Sequence, residues 1–329
     1  MRIYAALADA LLVAAPGEQA SERLDGHRPE CVAVSAAAPD RVFCGTFEAG
    51  LWRSTDGGDS FERVGADAID ADAIMSATVS PHDPAEVWVG TEPSALYRSS
   101  DGGDTWEALP PLSDLPTAGE WYFPPRPSTH HVRWIEIAPR DPRRLYVGIE
   151  AGAFLLSEDG GRTWTERPPG SRWDNHSLAT HPDAPGRVYA AAGDGYAESG
   201  DSGESWRHPQ EGLDHRYVWS VRPDPGDPDT VLVSAARGAR SAHSAERAET
   251  YVYRRRDAGP WERLDDRGLP VGSGVTRPVL ATTADGAFYA ASNRGLFRST
   301  DAGDSWTRVE TGRPERFADG PVRGLAVVG

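Results

Sequence analysis

Short segments in which apolar and polar residues alternate follow one another along the whole chain. A typical group reads Cys31-Val-Ala-Val, Arg41-Val-Phe-Cys-Gly-Thr, Gly50-Leu-Trp-Arg-Ser and Phe61-Glu-Arg-Val. Alternation of this kind over about four to seven residues, with Pro, Asp and Gly between the segments, is typical of β-strands. No helical periodicity of useful length interrupts it. The pattern predicts an all-β chain built from successive groups of four strands.

An eight-residue motif recurs at the same place in these groups. Residues 54–61 read Ser-Thr-Asp-Gly-Gly-Asp-Ser-Phe, with counterparts at 99–106, 157–164, 199–206 and 299–306 and a degenerate copy at 254–261. Its Asp is expected to accept backbone hydrogen bonds that close a tight turn, and its Gly to allow positive φ. The final aromatic residue is expected to pack between neighbouring sheets. Because a turn is needed in every repeat and a catalytic group only once, we interpret six residues as structural: Asp56, Asp101, Asp159, Asp201, Asp257 and Asp301.

A repeat of forty to fifty residues indicates one small sheet per repeat, stacked on its neighbours. Six complete groups are predicted, at 31–65, 74–112, 132–169, 175–210, 217–266 and 278–312. A seventh is predicted from both termini, 1–26 plus 321–329, because residues 2–7 lack an inner strand and residues 322–328 supply one. Such pairing closes the ring and removes a sheet edge. The expected fold is a seven-bladed β-propeller with four-stranded blades, forming a single domain over 1–329.

The repeated motif reads S-x-D-x-G-x-x-[WF] and resembles the Asp-box of the BNR/Asp-box propeller proteins, which include the sialidases. Sialidases are six-bladed and bind a carboxylate through three Arg, with a Tyr nucleophile, but their early Arg-Ile-Pro motif is missing here. Two seven-bladed groups have an architecture closer to the one predicted here. Xyloglucan-type glycosidases use paired Asp residues between two propellers, and photosystem assembly factors are binding modules. The resemblance implies the fold and does not transfer an activity.

The charge balance limits the classes of partner. The net charge is −16, and all 34 basic residues are Arg. An acidic excess argues against nucleic acid, because phosphate binding needs a basic field. Acidic composition without Lys resembles proteins from salt-accumulating halophiles, and high genomic GC content is the alternative explanation.

The apolar stretches also bear on where the protein works. The most apolar stretch, residues 5–15, is interrupted by Asp9 and is far too short to span a membrane. Arg2-Ile3-Tyr4 leads directly into a predicted strand rather than a signal peptide. We therefore expect a cytoplasmic protein.

Cys31 and Cys44 lie on neighbouring strands, and a turn at Pro39-Asp40 would place Cys44 opposite a residue near Ser35. Both cysteines are therefore expected to be buried free thiols.

Two insertions point to a binding site. Spacing between the motif aspartates runs 45, 58, 42, 56 and 44 residues, and the excess falls at residues 112–131 and 236–249. Propeller topology places both on the face opposite the repeated turns, and repeat proteins usually carry insertions on the binding face. The first insertion is rich in aromatic, Pro, His and Arg residues, which could bind a sugar or an anion, or could instead plug the channel. Candidate ligand contacts at the channel mouth are Trp121, Tyr122, Arg126, His130, His131, Arg133, Asn175, His215, Arg216, Arg277 and Arg323.

Whether the chain is an enzyme stays open at this point. His130 or His176 could carry a proton, with Glu92 or Glu150 as the carboxylate partner. No local spacing of His, Cys or carboxylates predicts a metal, and no cofactor is expected. The favoured function is a ligand site at the channel mouth for a glycan or a small anionic molecule, including glycoside-hydrolase-like activity as one possibility. The alternative is a non-catalytic scaffold whose partner is a protein.

Overall fold

Seven antiparallel sheets follow one another around a central channel in the computed structural model, which describes residues 1–312, 318 and 320–329. Each sheet is a blade whose first strand is innermost, and each inner strand contacts the inner strand of the next blade. Strand β28 contacts both β24 and β4, which closes the ring. The prediction of an all-β, seven-bladed propeller is confirmed.

The first three blades follow the predicted groups closely. The blade built from both termini contains β28 (Gly324–Val328), β1 (Arg2–Ala6), β2 (Leu11–Ala14) and β3 (Ser21–Arg23). The second contains β4 (Pro29–Ser35), β5 (Ala38–Thr46), β6 (Leu51–Ser54) and β7 (Glu62–Val64). The third contains β8 (Ala73–Val79), β9 (Val87–Glu92), β10 (Leu96–Ser99) and β11 (Glu107–Ala108).

The other four blades vary more at their outer edges. The fourth contains β12 (Val132–Ile137), β13 (Leu145–Ile149), β14 (Ala153–Ser157) and β15 (Thr165–Glu166). The fifth contains β16 (Asn175–Thr180), β17 (Val188–Ala192) and β18 (Gly195–Ser199), and its fourth strand is reduced to the bridge between Glu198 and Arg207. The sixth contains β19 (Tyr217–Asp224), β20 (Asp227–Ala236), β21 (Glu249–Arg255) and β22 (Glu262–Arg263), with β23 (Gly272–Ser273) also paired to β21. The seventh contains β24 (Val279–Thr282), β25 (Phe288–Ser292), β26 (Gly295–Ser299) and β27 (Thr307–Arg308).

Helical structure in the described residues is limited to three short 3-10 turns, Leu112–Asp114, Ala118–Glu120 and Ala239–Ser241. None of these is long and apolar enough to cross a bilayer. All three turns lie within the two insertions.

The termini close the ring by the predicted pairing. β1 and β28 pair antiparallel, with Arg2 opposite Val328 and Ala6 opposite Gly324. The backbone N–H of Arg323 extends the ladder by donating to Ala6 O at 2.9 Å. β28 takes the innermost position of this blade, so β1 is paired on both sides and is not left as an open sheet edge.

The repeated turns share one hydrogen-bond scheme. In the first copy, Ser60 N–H and Ser54 Oγ donate to Asp56 Oδ1 at 2.9 and 2.7 Å, and Gly58 N–H donates to Ser54 Oγ at 2.8 Å. Gly57 and Gly58 have positive φ, as the motif predicts. The same scheme recurs in four further copies, at Asp101, Asp159, Asp201 and Asp301.

The sixth copy does not follow this scheme. Arg256 stands at the aspartate position, and Asp257 lies one residue later in left-handed conformation, with φ of 48°. Among the described contacts its carboxylate makes no hydrogen bond within the turn. Asp257 is therefore not the structural counterpart of the other five, a correction to the sequence analysis. The turn is closed instead by Gly259 N–H donating to Arg256 O.

The aromatic residues that end the motifs pack against neighbouring blades. Trp106 meets Phe43 at a centroid distance of 6.4 Å, Trp206 meets Phe154 at 4.8 Å, and Trp261 meets Tyr196 at 4.8 Å. Each pair joins consecutive blades and is edge to face, which is a favourable geometry for aromatic rings. The predicted role of these residues is confirmed for these three pairs.

The two cysteines are free and buried as predicted, but the predicted register was wrong. The turn lies before Ala38, and Pro39 and Asp40 belong to β5, where an irregularity accommodates them. Cys44 therefore lies opposite Val32, with Cys31 opposite Gly45. A proline is tolerated there because a bulge leaves ladder positions unpaired.

Candidate functional site

Inner strands of consecutive blades carry an irregularity at the same height. The pairing register shifts between Pro29 and Cys31, Ile74 and Ser76, Val132 and Trp134, Asn175 and Ser177, and Val218 and Ser220. A bulge inserts one extra residue and re-aims its side chain. The inserted residues are Glu30, Met75, Arg133, His176 and Trp219, and all five line the channel.

Two arginines complete the circle in the remaining blades. Arg277 precedes β24 and Arg323 precedes β28 at the corresponding height, and both border the same space. We call these seven residues, one from each blade, the channel ring. The ring combines three Arg with one Glu, one His, one Trp and one Met. Such a mixture of charged and aromatic groups differs from the apolar side chains that fill a structural core.

Above the channel ring the space widens into a funnel of about 850 Å³. Both insertions border it, the first through residues 123–126 and the second through residues 239–243, as topology predicted. Below the ring the cavity shrinks to about 60 Å³, which is room for a few water molecules. Of these two spaces, the funnel is the one large enough for a small organic molecule.

The repeated turns lie at the other end of the blades. Gly57 O accepts a hydrogen bond from Tyr4 Oη at 2.8 Å and another from Arg2. Arg2 is paired with Val328, at the end of β28 opposite to Arg323. The motif aspartates are consequently far from the funnel, in agreement with their structural interpretation.

The funnel has the opposite charge bias to the chain as a whole. Among the described residues that line it are six arginines (Arg28, Arg126, Arg133, Arg240, Arg277 and Arg323) and three carboxylates (Glu30, Glu150 and Asp174). The whole chain has 34 basic and 50 acidic residues. Cationic groups are thus concentrated at this one surface of an acidic protein, which favours an anionic ligand.

Arg277 is the buried cation at the base of the funnel. It is 4% exposed, and its guanidinium carbon lies 3.5 Å from the centroid of the Trp219 ring. It donates to Val322 O at 2.8 Å and to His243 Nδ1 at 3.0 Å. Within the described part of the chain it forms no ion pair with a carboxylate. Burial, and then the charge of Arg133, lower the pKa of Arg277 from its ordinary value.

His243 links Arg277 to Tyr217. Since Arg277 donates to Nδ1, the proton of the neutral ring lies on Nε2, which donates to Tyr217 Oη at 3.0 Å. Burial, and then the neighbouring charge of Arg277, lower the pKa of His243 to about 3. The second insertion therefore contributes a neutral imidazole that orients Arg277 and Tyr217.

A chain of charged side chains crosses the wall of the funnel. Arg126 contacts Glu92 with two hydrogen bonds, of 2.6 and 2.5 Å, and stacks on Phe47 and Phe123. Glu92 Oε2 lies 3.3 Å from His131 Nδ1, and His131 Nε2 lies 2.9 Å from Glu150 Oε2. Arg126 is thus already neutralised, and its charge is less available to a ligand than that of Arg277.

These contacts shift the pKa values of Glu92, His131 and Glu150. Burial would raise the pKa of Glu92, but hydrogen bonds from His131 and Arg126 lower it to about 2. Burial lowers the pKa of His131, yet its hydrogen bonds to Glu150 and Glu92 raise it above the ordinary value overall. Burial would raise the pKa of Glu150, and His131 and Arg133 hold it well below its usual range. Glu92 and Glu150 are therefore carboxylates flanking a histidine that is protonated more readily than usual.

Asp174 and His176 lie next to Glu150. Asp174 Oδ1 accepts a hydrogen bond from Ala151 N–H at 3.0 Å, and burial together with the charge of Glu150 raises its pKa. His176 is 1% exposed and its Nδ1 lies 2.7 Å from Val218 O. Its ring is tilted over Trp219 at a centroid distance of 4.4 Å. These side chains lie at the junction of the funnel and the channel.

The structure places some of the predicted site residues at the funnel and others outside it. Those that line the funnel or its ring are Arg126, His131, Arg133, His176, Glu150, Arg277 and Arg323. Glu92 lies directly behind Arg126. Tyr122 is exposed beside the funnel without lining it.

The remaining predicted contacts do not reach the funnel. Trp121 is buried in the core beside Val132, so it neither plugs the channel nor meets a ligand. His130 packs on Trp121 and lies 2.8 Å from Ser94 Oγ. His215 lies 2.5 Å from Tyr253 Oη and packs against Tyr251 with the rings tilted, while Asn175 Nδ2 donates to Arg172 O. Arg216 is exposed away from the lining residues.

Sequence reasoning missed Trp219, Glu30, Met75, His243 and Trp173. The first three are bulge residues, and period-two alternation treats them as ordinary strand positions. A signal was available, because aligning the repeats on their inner strands places them in one column with Arg133 and His176. His243 lies inside the second insertion, which was correctly located.

Comparisons with known proteins show the fold and leave the activity open. No protein-family model matches the chain, and no curated protein matches it. Among solved structures, a GH74 enzyme from Niastella koreensis has a TM-score of 0.67 at 14% identity over 94% of this chain. An ancestral GH74 enzyme has a TM-score of 0.65 at 14% identity over 93% of this chain. The chain spans 54% and 40% of those two proteins. YCF48 bound to a D1 peptide has a TM-score of 0.61 at 17% identity, covering 87% of this chain and 82% of YCF48.

Proposed function

We propose that this chain is an Asp-box propeller that binds a small anionic ligand of the carboxylated-sugar class in the funnel. The observation that carries the proposal is Arg277, a buried guanidinium without a carboxylate partner among the described residues. Burying an unpaired charge is unfavourable. A ligand carboxylate would supply the missing charge, and Arg presents paired N–H groups suited to that geometry.

The surroundings of Arg277 suit a ring-shaped polar ligand. Phe123 and Trp173 border the funnel with aromatic side chains, while Arg133 and Arg240 offer further donors. Pockets for small molecules commonly combine apolar and aromatic walls with a few placed polar groups. The volume of about 850 Å³ lies in the range of about 300 to 1,000 Å³ typical of such sites. The structural likeness to GH74 enzymes supports the choice of a sugar, by analogy of fold alone.

Calorimetric titration with D-glucuronate, D-galacturonate and D-glucose tests this proposal. The uronates are expected to bind more tightly than glucose, which has no carboxylate. Arg277→Met should weaken uronate binding at least about tenfold, since a hydrogen bond to a charged group contributes about 1.5 to 3 kcal/mol. The matched control is Arg216→Met, which removes one positive charge outside the funnel. Equal affinity for glucose and glucuronate, or loss of binding in Arg216→Met alone, would contradict the proposal.

Glycoside-hydrolase-like activity in the same funnel would use Glu150 and Asp174, whose pKa values shift in opposite directions. Environments that separate two pKa values in this way are found in acid/base pairs. If the chain is an enzyme of this kind, the wild type should release 4-nitrophenol from 4-nitrophenyl glucuronide. Glu150→Gln should abolish that release. Turnover that survives in Glu150→Gln would exclude this pair.

A protein-interaction scaffold is the second candidate. Tyr122 and Trp173, beside the funnel and at its rim, are 47% and 43% exposed, and large exposed aromatic residues are common at protein interfaces. YCF48, to which the fold is similar, is bound to a D1 peptide. Selection from a displayed peptide library should yield binders that lose affinity for the double variant Tyr122→Ser, Trp173→Ser. A library that gives no binder, or binders indifferent to both residues, would count against a scaffold at this rim.

A further inference from the structure

Three side chains with metal-ligating atoms converge where the funnel meets the channel. His176 Nε2 lies 3.9 Å from Glu150 Oε1 and 3.8 Å from Asp174 Oδ2. One potential ligand atom from each of the three residues lies within 4.8 Å of the other two. Glu150 follows β13, and Asp174 precedes β16, which carries His176, so two neighbouring blades fix the cluster.

The nitrogen that faces the two carboxylates has no hydrogen-bond partner. His176 is 1% exposed, and Nε2 is a buried polar atom without a partner among the described groups. The 2.7 Å contact from Nδ1 to Val218 O identifies Nδ1 as the protonated nitrogen, because a carbonyl oxygen can only accept. In the neutral ring Nε2 then directs a lone pair at two further acceptors. Buried polar atoms are rarely left in this state, and a cation between the three groups would satisfy all of them.

The arrangement around the cluster resembles the support of a metal site. A ligating histidine almost always donates its other N–H to a carbonyl or carboxylate, which fixes the ring orientation. Val218 O fulfils that role for His176. Each carboxylate is also anchored through one oxygen, Glu150 Oε2 by His131 Nε2 at 2.9 Å and Asp174 Oδ1 by Ala151 N–H at 3.0 Å. The other oxygen of each is directed at His176 Nε2.

Gly193 makes room for one of the carboxylates. A Cβ at this position would lie 1.8 Å from Asp174 Oδ2, which no side chain can tolerate without displacing the carboxylate. Gly193 N–H also donates to Asp174 O at 2.9 Å, so the two loops are held together. The close approach of backbone to carboxylate is a constraint on the position of the oxygen that faces His176.

We propose that Glu150, Asp174 and His176 bind a divalent transition-metal ion, with Zn²⁺ the best match to the donor set. One imidazole and two carboxylates are typical zinc ligands, and three protein ligands leave a fourth position for water or a ligand. In a tetrahedral zinc site each ligand atom lies about 2.0 to 2.2 Å from the ion. Two such ligand atoms are closer to each other than His176 Nε2 now is to the Asp174 and Glu150 oxygens, at 3.8 and 3.9 Å. Binding would therefore draw the three side chains slightly inward.

The charges of the neighbouring side chains influence the affinity of the site for the metal ion. Two carboxylates balance the double positive charge of the ion, and Arg133 lies 3.5 Å from Glu150 on Oε2, the oxygen that faces away from His176. The site is independent of the uronate proposal, because it needs no organic ligand. It is an alternative to the acid/base roles of Glu150 and Asp174, because here the two carboxylates are metal ligands.

Titration of the chelator-treated 329-residue chain with Co²⁺ alone tests the site. We expect one Co²⁺ per chain, visible d–d absorption, and displacement by Zn²⁺. We expect each loss of a ligand to weaken Co²⁺ binding at least about 100-fold, in Glu150→Gln, Asp174→Asn and His176→Gln. Loss of a residue that only supports a ligand typically weakens metal binding about 10- to 100-fold, so removal of a ligand itself should cost at least as much. Gly193→Ala should also weaken it, and Asp194→Asn, an exposed carboxylate beside Gly193, is the matched control.

The wild-type titration decides the question even if a variant fails to fold. Absence of stoichiometric Co²⁺ or Zn²⁺ binding by the folded wild type overturns the proposal, as does wild-type affinity in Asp174→Asn. Circular dichroism of each variant establishes that it is folded. Because the only probe is the metal, a negative result leaves uronate binding unaffected, and a failure of uronate binding leaves the metal site unaffected.

Discussion

The guanidinium carbon of Arg277 lies 3.5 Å from the ring centroid of Trp219, on the inner strand of the preceding blade. Arg133 approaches the same indole at 4.9 Å. One aromatic ring thus stabilises two cations through cation–π contacts at the base of the funnel. This arrangement holds positive charge in a buried place. The N–H groups of Arg277 that are not bonded to Val322 O or His243 Nδ1 are left for a ligand.

Replacing Arg277 by Met should leave the free energy of unfolding unchanged within about 1 kcal/mol, or raise it. Exchange of a buried charged group for an apolar one of similar size is often neutral or stabilising. The matched control is Arg255→Met, since Arg255 is equally buried but contacts Glu198 at 2.9 Å. That variant should lose about 3 kcal/mol, the low end for a broken buried pair, because Arg207 still contacts Glu198. Urea denaturation measures both, and an equal loss would make Arg277 a structural residue.

Asp301→Ala should lower the free energy of unfolding by about 1 kcal/mol or somewhat more, because its hydrogen bonds to Ser305 and Ser299 disappear. Asp257→Ala is the control from the degenerate copy and should have almost no effect. Thermal melts compare the two, and uronate titration should show that neither changes funnel binding. A similar loss in both variants would argue against the hydrogen-bond scheme as the source of stability.

Deleting residues 322–329 should destroy cooperative unfolding, because β1 would lose its partner along its whole length. Exposed sheet edges also promote association. Calorimetric melting with light scattering detects both effects, and removal of Gly329 alone is the control. A truncated chain that melts like the intact one would mean that the ring does not depend on β28.

Stability should rise with KCl up to roughly molar concentration. The net charge of −16 produces self-repulsion, and the Debye length falls from about 10 Å at 0.1 M to about 3 Å at 1 M salt. Melting temperatures across this range provide the measurement. A flat or falling trend would favour base composition over halophily as the reason for a chain without Lys.

Acid should destabilise the fold mainly between pH 4.5 and pH 2. The pKa of Glu92 is lowered to about 2 from an ordinary 4.5, and that of Asp159 to about 2 from 3.8. A lowered folded-state pKa stabilises above the ordinary value, and that contribution is lost as pH falls through the folded-state value. Urea midpoints measured across this window should fall steadily, and Glu92→Gln should show a shallower fall. An equally steep fall in Glu92→Gln would remove Glu92 as a contributor.

The propeller was predictable because the same physical problem is solved in every blade. The Asp turns, the inter-blade Trp residues and the pairing of the termini each follow from repetition, since every blade must close a turn and bury its faces. The site was only partly predictable for the opposite reason. Trp219 enters the channel through a bulge, and Trp121 turns into the core from a loop that was correctly placed. His130 and His215 lie at loop ends, where spacing gives the location of the backbone but not the direction of the side chain.

Arg277 is buried at the base of the funnel, where the space narrows towards the channel ring. A ligand therefore has to project a group inward to contact this guanidinium. A free small molecule, a side branch or the end of a chain can do so more readily than the middle of a straight polymer. The depth of Arg277 thus favours recognition of terminal groups.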